Sequence, residues 1–418
     1  MSEFDIKKDF PIFSSNSEFK GQPLVYLDNA ASAQKPQAMI DALTYYYTHI
    51  NSNIGRSVYK LAEKSSEAFE LTRKAVAQFI NSKKRNIIFT SGATASLNLA
   101  AHLAQQAIVE RQKTHTGTDK LKIVLSIVEH HANILPWQRI ARDYNVELVY
   151  VESAQDLAHP ENLPNTFWNN VAVVALTHVS NVTGQIHPVS VWSSLAREHG
   201  ALSVIDGAQG VTSVPVDVSD IGCDFYAFSA HKLYGPMGVG VLYIHDKLMA
   251  QYEPLLLGGG TIEDVLEEQF FLLSDYSRYE AGTPNVADVA AFRASLEYLT
   301  HHDWPKLLEH THQVGDYLQT QIRSHADFEV LEIENSHFLP HSHTISFKIK
   351  DIHAHDVGTF LSNMNIAVRV GKHCAHPLHY FLDSQASIRA SVGIYNTHED
   401  VDKLIDGLKQ CMHFFRSR

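Results

Sequence analysis

Between residues 86 and 244 the chain carries seven short apolar runs, and between several of them lie segments with the spacing of an amphipathic helix. The runs cover residues 86–90, 122–126, 147–151, 171–176, 202–205, 225–228 and 239–244. Most are apolar throughout rather than alternating, which suits strands covered on both faces. One helical segment spans 62–80 and sets Phe69, Thr72, Val76, Phe79 and Ile80 on one stripe; another follows Thr94. Such alternation predicts an α/β domain whose large, mainly parallel seven-stranded sheet carries helices on both faces.

After about residue 300 the pattern changes. HHDWPK at 301–306 breaks the preceding helix, and the remainder reads as a smaller α+β unit with strands near 344–349 and 367–370. A closing helix from about Glu399 carries Val401, Leu404, Ile405, Leu408, Met412 and Phe415 on one stripe, with Thr397 and Asp400 spaced as a capping pair. The expected division is a large domain over 25–300 and a small one from 1–24 and 301–418.

Composition narrows the function classes. With 418 residues, 44% hydrophobic and 19% charged, the chain can bury a large core. No apolar run reaches the roughly 18–20 residues of a membrane span. MSEFDIKKDF at the start lacks the apolar stretch of a secretory signal, so a cytoplasmic protein is expected. The net charge of −12 argues against nucleic acid and against an anionic membrane surface. Many of the 26 histidines are expected to titrate just below neutral and to shrink that charge in mild acid. Three cysteines, Cys223, Cys374 and Cys411, exclude a disulfide framework and fit a reducing compartment.

Six segments carry candidate chemistry. In FTSGAT at 89–94 a strand end, a small-residue turn and a helix start leave N–H groups free to cup a phosphate, with the Thr94 hydroxyl beside them. In IDGAQ at 205–209, Asp206 ends an apolar strand, where open α/β sheets bind ligands. In FSAHKLYGP at 228–236, Lys232 follows another strand, with Ser229 and His231 as further donors, and lies 26 residues after Asp206. EHHAN at 129–133 offers an imidazole to stack on a flat ring or move a proton. RVGKHCAHP at 369–377 sets Cys374 after Lys372 and His373, whose positive charge would favour thiolate. Arg389 sits in the mainly small, apolar run SIRASVG, so it needs a carboxylate partner, either internal or the substrate's.

Each segment alone admits a plainer reading: an ordinary turn, a capping Asp, a surface Lys, a solvated loop, a buried Cys. His373, Cys374, His376 and His379 could also be read as a zinc site, although no second ligand pair accompanies them and no metal is expected. Together, a strand-end Lys, a strand-end Asp and a phosphate cup are what pyridoxal phosphate requires: an amine for its aldehyde, a carboxylate for its ring nitrogen and donors for its phosphate.

The segments YLDNAA, EHHAN, SNVTG, DGAQ, SAHKLYGP, EAGTPN, RVGKHCA and IRAS, in this order from residue 26 to about 404, resemble the class V aminotransferase-like enzymes, and among them the cysteine desulfurases of the SufS/CsdA type. The resemblance implies a fold-type I pyridoxal 5'-phosphate enzyme and a homodimer. It implies that Lys232 carries the cofactor, Asp206 faces its ring nitrogen, Gln209 meets its ring oxygen and His130 stacks on the ring. Thr94, Ser229 and His231 would hold the phosphate, with Thr283 reaching in from the other subunit. Asn181 and Arg389 would bind the substrate carboxylate, and Cys374 would accept sulfur.

Three departures stand out. The phosphate turn reads Gly92-Ala93-Thr94 where relatives often have two threonines, so the Ala93 contact must come from its backbone N–H. Lys372 stands where relatives have a histidine. Gly55 and Tyr59 stand at rim positions often held by histidine. The short loop around Cys374 favours the SufS/CsdA branch over the IscS/NifS branch, and so a dedicated acceptor protein of the SufE/CsdE type. The implied reaction takes L-cysteine to L-alanine with a persulfide on Cys374, feeding iron–sulfur cluster or other sulfur-requiring biosynthesis. A selenocysteine lyase on the same scaffold, or a sulfur- or ligand-binding relative without catalysis, are the alternatives.

Overall fold

A computed structural model describes residues 6–14, 23–55, 58–335 and 338–417. Residues 1–5 and 15–22 of the expected small unit, and Arg56 and Ser57 of the expected rim, lie outside the described residues. The strands in chain order are β1 (Val25–Tyr26), β2 (Ile87–Thr90), β3 (Lys122–Ser126), β4 (Glu147–Val151), β5 (Val171–Thr177), β6 (Leu202–Asp206), β7 (Phe225–Ser229) and β8 (Gly240–Ile244). A hairpin of β9 (Ile262–Val265) and β10 (Phe270–Leu272) follows, then β11 (Phe328–Val330), β12 (Thr344–Ile349), β13 (Ile366–Ala367), β14 (Arg369–Gly371) and β15 (Ser387–Ser391).

The seven predicted strands form one sheet in the order β2-β8-β7-β6-β5-β3-β4. Only β8 runs against the rest, pairing antiparallel with β2 and β7. The other six share one direction, so their C-terminal ends, Thr90, Ser126, Thr177, Asp206 and Ser229 among them, lie along one edge. Alternate residues divide between the two faces. Ile88, Ile123, Leu125, Val173 and Ala175 pack with the helices Ala93–Thr114 and Leu135–Tyr144. Ile87, Phe89, Val124 and Val174 pack with Lys60–Phe79, Val189–Glu198 and Val286–His301. Each large apolar side chain withdrawn from water contributes roughly 1.5–3 kcal/mol, so the two faces hold the sheet.

β5, with both neighbours in place, is buried at every position. β4 departs from the expected two-sided burial: it is an edge strand and buries only Val151. Asn86, expected in the first strand, instead ends a turn and donates its side-chain amide to Ile244 O.

The second unit is an antiparallel sheet in the order β11-β12-β15-β14. The helices Trp304–Arg323, Ala354–Ser362 and His398–Arg416 cover it, burying Leu318, Leu361, Leu404 and Leu408 against Phe347 and Ile388. The expected cap is present: Thr397 and Asp400 form a reciprocal capping box. The single strand expected at 367–370 is divided, because the chain changes partner there. β13 pairs in parallel with β1, and β14 pairs with β15. The N-terminal residues interleave with both units: Phe10 packs on Tyr234 and Tyr395, whereas Val25 and Leu27 pack in the second core.

Candidate active site

Where the strand ends meet the second unit lies a cavity of about 200 Å³. Ala93, Thr94, His130, Asn181, Asp206, Gln209, Ser229, His231 and Lys232 line it from the large sheet's side; Arg369, His373, Cys374 and Arg389 close it from the other. Every predicted site residue but one therefore meets in one place. Thr283 does not: in this chain it lines a separate cleft with Asn53, Arg73 and Glu280.

Asp206 is held by the end of β6, where Gly207 lets the chain turn beneath Tyr226. A Cβ at Gly207 would lie 2.0 Å from that ring. The Asp206 carboxylate accepts the Ala208 N–H at 2.9 Å. Lys232 closes the short turn Ala230–Lys232 after β7. Burial lowers the Lys232 amine to about 8 and raises the Asp206 carboxyl; the opposite charge on each opposes both shifts. Gln209 donates to Ala30 O at 2.7 Å. His130 Nδ1 accepts the Ala132 N–H, so this ring carries its proton on Nε2. Burial, then the Lys232 charge, lowers its pKa to about 3, and the imidazole is neutral.

The phosphate turn approaches β8 closely. A Cβ at Gly240 would lie 2.4 Å from the Gly92 backbone, so only glycine fits there. Behind it, the first turn of the helix Ala93–Thr114 presents N–H groups beside Thr94. One expectation changes: the Ala93 N–H donates to Ser229 Oγ at 2.7 Å and is not a free donor. The Ser229 hydroxyl proton remains available, and His231 Nδ1 is buried without a protein partner.

At the opposite end, Arg389 is only 2% exposed. It donates to Asn181 O at 3.0 Å and to Asp28 Oδ1 at 3.0 Å, while its Nε has no protein partner. The carboxylate expected for Arg389 is thus internal, with Nε left over for a second anion. Asn181 uses its side-chain amide on His373 O at 2.8 Å.

Cys374 is exposed, whereas Cys223 and Cys411 are buried, and burial pushes the Cys411 thiol up to about 11. The positive charge expected beside Cys374 lies elsewhere. His373 is buried with its pKa lowered to about 2, and the Lys372 ammonium sits 4.2 Å from the centre of the Tyr380 ring. The zinc reading also dissolves: His373 and His379 both turn to Ser387 Oγ, while His376 stacks on His131.

Three residues escaped the sequence reading. Asp28 stands in YLDNAA and binds Arg389. Glu129 of EHHAN is fully buried and accepts from Asn133 Nδ2 and the Thr177 N–H. Lys35 donates to His231 O at 2.8 Å, directly before Lys232. The only signal in the sequence was their place inside or beside quoted motifs; their partners Arg389, Thr177 and His231 are 361, 48 and 196 positions away.

The family model described as aminotransferase class-V matches residues 25–404. A cysteine desulfurase of Escherichia coli O7:K1 is 38% identical over 408 residues, covering 97% of each chain. Among solved structures, the cysteine desulfurase CsdA of Escherichia coli, in an S-sulfonic acid form, is similar with a TM-score of 0.84 and 31% identity over 98% of both chains. The apo cysteine desulfurase of Thermococcus onnurineus NA1 is similar with a TM-score of 0.86 and 31% identity over 97% of both. With its seven-stranded sheet, its strand-end Lys and Asp in one cavity and this likeness over nearly its whole length, the chain belongs to the class-V aminotransferase family, among the cysteine desulfurases.

Proposed function

We propose that the chain is a pyridoxal-phosphate-dependent cysteine desulfurase that takes L-cysteine to L-alanine and moves its sulfur to Cys374. One observation carries this reading: an exposed thiol lines the same cavity as Lys232, Asp206 and Arg389. The residues fit the cofactor. His231 Nδ1 is a buried donor or acceptor without a partner, and a lysine and a carboxylate occupy neighbouring strand ends. Lys232 would hold the aldehyde carbon, Asp206 the ring nitrogen, Gln209 the ring oxygen, and His130 the ring face. Thr94, Ser229, His231 and the turn at Ala93 would hold the phosphate. When bound, pyridoxal phosphate supplies an electron sink for charge developing at the substrate Cα.

The rest falls to the chain. Arg389 binds the substrate carboxylate through the side not used by Asp28, with Asn181 beside it. The Lys232 amine, lowered to about 8, has a neutral fraction at physiological pH and removes the Cα proton. The Asp206 carboxylate would hold a proton on the cofactor's ring nitrogen. The Cys374 thiolate attacks the substrate Sγ and the Cβ–Sγ bond breaks. Cys374 is left as a persulfide, the electron pair of the broken bond stays with Cβ and takes up a proton, Lys232 returns a proton to Cα, and alanine departs.

The expected homodimer is part of the proposal. It is supported by the exposed Leu256, Phe270 and Phe271 near the β9–β10 hairpin and by Thr283, which needs a second chain to reach a cofactor site. So is an acceptor protein, supported by the exposed Tyr380 and Phe381 near Cys374. The division into 25–300 against 1–24 and 301–418 is also proposed, although Val25 and Leu27 pack in the core of the small unit and Phe10 in that of the large one. A reducing, cytoplasmic setting is supported by three unpaired cysteines. Among the described residues no helix is long and apolar enough to cross a membrane.

The test is to incubate the holoenzyme with cysteine and weigh its peptides. The Cys374 peptide is expected to gain one sulfur atom as alanine appears. Alanine release without sulfur on Cys374 would overturn the assignment.

A further inference from the structure

One residue joins the cofactor side of the cavity to the Cys374 loop and has no part in the chemistry derived above. His131 grips the loop twice. Its backbone N–H donates to Cys374 O at 2.8 Å, and its ring Nε2 accepts the His376 N–H at 3.1 Å. His376 Nδ1 lies 2.8 Å from the same ring nitrogen, and the two imidazoles stack with centroids 4.6 Å apart. A backbone N–H can only donate, so it identifies His131 as a neutral imidazole with its lone pair at Nε2 and its proton on Nδ1. Protonation at Nε2 would remove the lone pair that accepts the His376 N–H.

The loop needs such a grip. His373 and Cys374 have φ of +49° and +55°, two consecutive non-glycine residues in the left-handed region. Such a conformation persists only where surrounding contacts hold it. Asn181 holds the loop on one side at His373 O; His131 holds the other.

We propose that His131 is a positioning residue for sulfur transfer: its neutral ring latches the loop that carries Cys374, and its protonation releases the loop. This rests on the proposed desulfurase reaction. The groups facing the ring are His376 from the helix His376–Phe381, His130 on its own turn, and Arg139 across the adjoining cleft, itself 3.6 Å from Asp143. None of the residues lining that cleft is acidic. Burial, then the neighbouring His376, lowers the proton affinity of His131. The latch is therefore closed at neutral pH and opens as pH falls through this lowered value.

Labelling of Cys374 by iodoacetamide in the holoenzyme tests this without substrate, and comparing variants at one pH cancels the thiolate fraction. H131L is expected to label about fivefold faster than the unaltered protein near pH 8, with the ratio falling toward one at the lowest pH that leaves the fold intact, as the unaltered latch opens. H131Q keeps an acceptor that does not titrate. It is expected to match the unaltered protein near pH 8 and to label more slowly than it at the lowest pH that leaves the fold intact. Hydrogen exchange in the peptide spanning 374–376 is expected to follow the same order. Equal labelling and exchange for H131L and the unaltered protein at both pH values would overturn the latch. If H131L fails to fold, H131Q decides: equality with the unaltered protein down to the lowest pH that leaves the fold intact overturns it. Failure of the desulfurase reading shows separately, as no persulfide on Cys374 after adding cysteine.

Discussion

Asp206 and Cys374 line one cavity, yet they are held in different ways. Asp206 ends a strand with a paired strand on each side and is 4% exposed. Moving it means breaking the sheet and the apolar packing on both its faces. Cys374 is an exposed residue of a loop in a left-handed conformation, kept there by a few hydrogen bonds, two with His131, one from Asn181 and one between His373 and Ser387. Each such bond is worth a net ~0.5–1.5 kcal/mol. The side that grips a cofactor is anchored by burial. The side that must meet a substrate sulfur and then an acceptor is tethered by contacts weak enough to exchange.

The sharpest test of that contrast is Lys232→Ala. It is expected to abolish cysteine turnover, by on the order of a thousandfold or more, and the visible absorption of the Lys232-linked cofactor, while leaving the thermal melt nearly intact. Cys374→Ala comes next and should divide the two sides. Visible absorption stays while persulfide formation from cysteine disappears, as read by mass. Loss of absorption in this variant would mean that the loop is part of the cofactor grip and the contrast is false.

Acid is expected to act on both sides together. His130, His231, His178, His343 and His373 are held neutral by burial, with pKa values of about 3, 4, 3, 3 and 2. For these five, the expectation that many histidines titrate just below neutral does not hold. Below about pH 6.5 the unfolded chain takes up protons that the folded chain refuses, so stability present at pH 7 is lost as pH falls. Each such group contributes up to about 1.4 kcal/mol per pH unit in that window. Melting temperatures should drop steeply from pH 7 to pH 5; a flat profile would contradict the buried, neutral assignment.

Asp28→Asn is the smallest of these effects and concerns the seam between the two sides. Asp28 fixes the Arg389 guanidinium from below, so its loss is expected to raise KM for cysteine about tenfold with less change in kcat. An unchanged KM would mean that the Asn181 carbonyl alone orients Arg389.

The sheet was legible because strands buried on both faces must be apolar at every position, as β5 is. The strand-end Asp206 and Lys232 were legible because their spacing and flanking strands restrict where they can lie. The divided strand at 366–371 was not legible, since nothing local tells a strand to change partners. Nor was the turn of the Lys372 ammonium onto Tyr380, or the neutral state of His373, which depends on burial.

The order and identity of the residues thus determined by themselves that the chain would form a doubly covered sheet with a lysine, a carboxylate and a phosphate turn at strand ends, and that one cysteine stood in a glycine-containing loop. Only the tertiary structure decided which donors were already taken, as Ala93 is by Ser229, that Arg389 leans on Asp28, and that His131 clasps the Cys374 loop. The reason is physical: backbone pattern follows from local sequence, whereas a polar atom's state depends on whichever atom arrives within 3 Å of it, most often from hundreds of positions away.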